Sequence, residues 1–175
     1  MELAPRAQRQ IIRRMEPLEP PALHQAQAAY GWLELGNVEE AFAELERLPE
    51  ELQSLPAVQA VRLDCLMAAK DWNAAVKLAQ VLCGQWAEEP GLWLHHAYAA
   101  RRCAGGSIEA AYELLAPCVE RFPEEWLIPY NVACYLCQME RLDEARAMLE
   151  MARAKGGERV DTMAKDDEDL APLNL

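Results

Sequence analysis

Two short stretches carry the residue types that metal or thiol chemistry would need: the adjacent imidazoles His95-His96 and the paired thiols of Cys134-x-x-Cys137. A zinc site takes four converging ligands, or three and a water. One cysteine pair on a helix, with no second pair at suitable spacing, does not supply them, and adjacent histidines on a helix point about 100° apart. Ordinary packed side chains and no bound metal are the expectation. Phosphate chemistry would call for a glycine loop ending in Gly-Lys-Ser/Thr, which Gly105-Gly106 lacks. No Gly-x-Ser-x-Gly elbow is present to expose a nucleophilic serine. The numerous carboxylates read as solvated helix faces and an acidic tail rather than as acid–base pairs. No residue is assigned a catalytic role, no cofactor is implied, and the chain is expected not to be an enzyme.

Composition narrows the classes further. The chain has 175 residues, 52% of them hydrophobic, enough for one domain with a core of its own. A formal charge of −12 would repel a phosphate backbone, so a nucleic-acid partner is not expected. The start, Met1-Glu2-Leu3-Ala4-Pro5-Arg6, has an acid and a proline where a secretory leader has basic and apolar regions. No apolar run reaches the length of a membrane span, so no membrane insertion is expected. A cytoplasmic protein with six reduced cysteines is the expectation.

The elements that would have to position any functional side chain come from one pattern that returns four times. Gly36-Asn37-Val38-Glu39-Glu40-Ala41, Lys70-Asp71-Trp72-Asn73-Ala74-Ala75, Gly105-Gly106-Ser107-Ile108-Glu109-Ala110-Ala111 and Glu140-Arg141-Leu142-Asp143-Glu144-Ala145 each read as a turn, acidic or polar residues, then alanine. The closing alanines, Ala41, Ala75, Ala111 and Ala145, lie 34, 36 and 34 residues apart. A fixed period near 34 marks an array of helical hairpins. The predicted repeats are about 22–55, 56–90, 91–123 and 124–157. The first pairs Ala22–Leu35 with Val38–Leu48, stopped by Pro49; the second runs from Ala57 to about Trp86. The third, Leu92 to Phe122, has an enlarged glycine turn and holds Pro117 inside its second helix, where a kink is expected. The fourth runs from Glu124 to about Lys155, and Gly156-Gly157 stops it. Asp71 and Ser107 are the expected helix caps.

The flanks differ in sign. Residues 1–21 read as a basic N-terminal arm or capping helix with Arg6, Arg9, Arg13 and Arg14, ended by prolines. Residues 158–175 read as an acidic capping tail, with a short helix around Val160 and Ala164 and a hydrophobic hook at Leu170-Ala171-Pro172-Leu173. An end hairpin has no neighbour to cover it, so a cap is needed there.

These residues resemble the tetratricopeptide repeat (TPR) family over about residues 22–157, and specifically small bacterial arrays with a terminal capping repeat. The small residues of the first helices are Ala29, Ala97 and Ala133, those of the second helices the four closing alanines, and Pro123 matches the terminal proline. The second repeat departs from the pattern with Leu63 in place of the small residue and Lys70 in place of glycine. The resemblance implies an all-α fold: an α-solenoid of four antiparallel hairpins forming a right-handed superhelix, with first helices lining a concave groove. It also implies a non-catalytic scaffold that binds a peptide or helix of another protein. Self-association into homo-oligomers and service as a chaperone of a secreted substrate are the alternatives. In one subfamily, lysine, asparagine and arginine clamp a terminal carboxylate of heat-shock chaperones; the residues here argue against that clamp. The groove positions expected to bind the partner are Tyr30, Glu34, Asp64, Met67, Leu94, Tyr98, Arg101, Tyr130, Cys134 and Gln138. The three tyrosines offer broad apolar faces with polar tips, or else they pack against neighbouring hairpins or the tail.

Overall fold

The computed structural model describes residues 18–174; the expected basic arm, residues 1–21, lies outside them up to residue 17. Every regular element among the described residues is a helix. The chain divides into two compact units, meeting in sequence between His95 and His96.

The first unit holds α1 (Ala22–Glu34), α2 (Val38–Glu46), the single turn α3 (Glu50–Gln53), α4 (Pro56–Ala68), α5 (Trp72–Gln85) and the first half of α6 (Pro90–Arg102). Helix α1 packs on α2 and α4, and α4 packs on α5. The second unit holds the rest of α6, then α7 (Ile108–Leu115), α8 (Cys118–Arg121), α9 (Leu127–Gln138), α10 (Leu142–Gly156), α11 (Glu158–Lys165) and a terminal 3-10 helix (Glu168–Leu173). Helix α9 is its centre, packed on α7, α10 and the 3-10 helix. It is buried from Leu127 to Cys137, which explains its near-continuous apolar sequence.

The recurring alanines are what allow these helices to approach. Ala29, Ala41, Ala75, Ala97, Ala111, Ala133 and Ala145 are all completely buried, and Leu63, the departure in the second repeat, is buried as well. A side chain of one methyl lets two backbones come together without opening a void.

The turns are equally regular. Gly36, Lys70, Gly105 and Glu140 all take positive φ, between 57° and 76°. In three copies the residue after the left-handed one donates its N–H to the carbonyl five residues earlier. These bonds are Asn37 to the Trp32 carbonyl, Asp71 to Leu66 and Arg141 to Leu136, at 2.9–3.0 Å. The left-handed residue itself donates to Leu33, Met67 or Cys137. This double closure satisfies carbonyls that a helix end leaves orphaned. The next helix is then capped by Asn37, Asp71 or Ser107, whose side chains accept from the N–H of Glu40, Ala74 and Ala110. In the fourth copy Arg141 occupies the cap position and makes no such bond. The third turn is the irregular one: a Cβ on Gly106 would fall 2.0 Å from the Ala100 carbonyl oxygen, so only glycine fits.

Three element boundaries differ from expectation. The helix expected to run to Leu48 ends at Glu46, although Leu48 still reaches the core. The bridge after Pro49 contains the helical turn α3. Pro117 does not kink one helix but divides it: α7 ends at Leu115 and α8 begins at Cys118. Proline has no N–H to donate and its ring excludes the preceding turn, so the ladder is broken there. At the other end, Gly156 lies inside α10, with the Val160 and Trp126 side chains where a Cβ would stand. The neighbouring Gly157 turns the chain at φ 59° into α11.

Candidate functional site

Each unit brings some of the expected binding residues together. In the first unit, Tyr30 on α1 donates from its hydroxyl to Asp64 Oδ2 on α4, at 2.6 Å. The other oxygen, Asp64 Oδ1, lies 3.2 Å from His95 Nε2, off line for a good hydrogen bond, and neither atom has another partner. Both side chains are buried. His95 Nδ1 lies 2.8 Å from the Gly91 carbonyl. That oxygen can only accept, so Nδ1 must carry a hydrogen. Tyr30 and Asp64 were expected at the site; His95 was seen in the sequence only as half of a histidine pair. Met67 and Leu94 are buried in the core, and Glu34 is exposed. This cluster ties three helical segments together through a buried carboxylate.

In the second unit, Arg101, Tyr130, Cys134 and Gln138 form one receptor for the C-terminal segment. Tyr130, Cys134 and Gln138 follow one another at four-residue spacing along a single face of α9. Tyr130 donates to Asp167 Oδ2 at 2.8 Å, and the Cys134 thiol reaches the same oxygen at 3.7 Å. Asp167 Oδ1 accepts from the N–H of Asp169, starting the 3-10 helix. Arg101 grips Asp169 with both terminal nitrogens, at 2.6 and 2.9 Å. Gln138 donates to the Asp169 carbonyl at 3.1 Å. Leu170 and Leu173 are buried beside these polar contacts. Tyr98 is half-buried, with the Arg102 guanidinium 3.5 Å from its ring centre.

The electrostatics follow from this packing. The Arg101 guanidinium holds the Asp169 carboxyl below the usual carboxylate range, and Asp169 in turn raises Arg101. Burial, reinforced by Asp167, pushes the Tyr130 hydroxyl and the Cys134 thiol upward, keeping both protonated as donors. Tyr130 is thus a buried anchor for the tail rather than an open face for a partner. Asp167 and Asp169 were read in the sequence as part of a solvated charge run. Their alternation with Leu170 and Leu173 was the available signal that the segment docks.

The residues first weighed for chemistry are dispersed into packing. His96 is buried with Nδ1 unpartnered, and burial lowers its pKa. Cys134 and Cys137 are buried on α9, and no group of three or more metal-capable side chains converges among the described residues. No helix among them is long and apolar enough to cross a membrane. Comparison with protein-family models, curated proteins and solved structures finds no match for this chain.

Proposed function

We propose that this chain is a tetratricopeptide-type helical-repeat protein of four hairpins, working as a non-catalytic module that binds a segment of another protein. The period near 34, the buried alanines and the recurring left-handed turn residue support the repeat reading. One observation carries the functional reading. Four of the positions chosen from the sequence as partner-binding, Arg101, Tyr130, Cys134 and Gln138, converge on a short peptide segment, the chain's own residues 167–173. Such a face combines fixed polar donors with places for apolar anchors, and a preformed scaffold binds with little ordering cost on its own side. The six free thiols suit a reducing compartment such as the cytoplasm.

The test is selection of binders from a random peptide library on the full-length chain. Enriched peptides should bind in solution, and Tyr98→Ala should weaken them about tenfold, or about 1.4 kcal/mol, with helicity unchanged. Failure of any peptide to bind, or binding indifferent to substitutions at both Tyr30 and Tyr98, would refute the reading. Light scattering across protein concentration tests the self-associating alternative, which requires mass to rise with concentration.

A further inference from the structure

We propose that the face of α9 carrying Tyr130, Cys134 and Gln138, with Arg101 beside it, is a docking site for acidic, leucine-containing segments of partner proteins. In this proposal the C-terminal residues 167–173 are an internal stand-in for that ligand. The recognised chemistry is Asp-x-Asp-Leu-x-x-Leu. The first aspartate takes the Tyr130 hydroxyl, the second takes the Arg101 fork, and the two leucines fill the apolar places.

Three features separate this segment from an ordinary structural end. Its recognition is specific rather than merely apolar: the two aspartates accept from three different side chains, and Gln138 reads the backbone carbonyl of Asp169. Bidentate arginine–carboxylate pairing fixes orientation as well as charge. The segment also follows α11 and lies at the end of the described chain, with Asp166 and the intervening Glu168, Ala171 and Pro172 exposed. Its release therefore removes no later element among the described residues. Finally, the Arg101–Asp169 pair is only partly shielded, with side-chain exposures of 19% and 25%, so salt and competing carboxylates can reach it.

Occupation in cis makes the site self-regulated. A partner must displace the tail, and its apparent affinity falls by the fraction of molecules whose site is open. The proposal rests on the reading of the chain as a peptide-binding module and adds the partner's chemistry and the tail's role to it.

The test uses the full-length chain and a fluorescent peptide of residues 165–174. Leu170→Asp with Leu173→Asp removes the apolar anchors of the resident tail while leaving the receptor face intact. This variant should keep its helicity and bind the peptide at least about tenfold more tightly than wild type does. Adding Arg101→Glu should abolish that binding, and a peptide with lysine at the position of Asp169 should not bind. A folded variant that ignores the peptide overturns the proposal. Loss of helicity in the variant also overturns it, because a segment the fold requires is not exchangeable. Peptides of other chemistry that bind while the tail stays docked would leave the general module standing and remove this inference alone.

Discussion

Replacing Lys70 or Glu140 with glycine should stabilise the protein. Both residues are exposed, and both hold φ near 60°, at 57° and 60°, in turns where the equivalent positions are Gly36 and Gly105. A side chain in the left-handed region brings its Cβ against the following carbonyl, at a cost of about 1–2 kcal/mol. Glycine removes that clash but gives the unfolded chain more freedom, which returns about 0.5–1 kcal/mol. The net gain at each site is about 0.5–1 kcal/mol. For a chain of this size that corresponds to a rise in melting temperature of about 1–4 °C. The helix-closing hydrogen bonds of Lys70 to Met67 and Glu140 to Cys137 come from the backbone, so glycine retains them. Thermal and urea unfolding followed by circular dichroism would measure the effect, with Gly36→Lys as the converse, expected to destabilise. If Lys70→Gly and Glu140→Gly both lower the midpoint, strain at positive φ is not what those side chains contribute.

Three further outcomes follow from the two clusters and the buried thiols. Asp64→Ala should cost about 1–2 kcal/mol by removing the carboxylate oxygen that accepts the Tyr30 hydroxyl. Asp64→Asn should cost less in the same denaturation assay, since its amide oxygen can still accept from Tyr30. The Arg101–Asp169 pair should contribute about 1 kcal/mol after solvent screening. Because the folded carboxyl is depressed, that contribution is complete above the ordinary aspartate value of about 4 and is lost as pH falls through the folded value. The stability gap between wild type and Asp169→Asn should therefore be present at pH 6 and close towards pH 3. Alkylation at pH 8 should mark Cys103 first, the one cysteine that is not buried. Burial pushes the thiols of Cys65 to about 12 and Cys118 to about 11, and mass spectrometry should find both unmodified until denaturant is added.

Residue pattern alone carries the local architecture of this protein. The alanine period located the close helix contacts, because only a small side chain lets backbones approach, and all four closing alanines are completely buried. Turn chemistry located the helix ends, with Asp71 and Ser107 capping as expected. Where local signals competed, the reading was coarser: proline alone did not say whether Pro117 would bend a helix or end it. The site residues were legible only as positions on a face. Tertiary structure decided their partners. Asp64 and His95 are brought together from separate helices, and Asp167 and Asp169 meet a tyrosine and an arginine that precede them by 37 and 68 residues. A periodic pattern records which side of a helix is apolar, since burial acts on every residue of that side. Pairing between individual charged and polar groups depends on distances of a few ångströms between distant segments, and only the packed chain sets those.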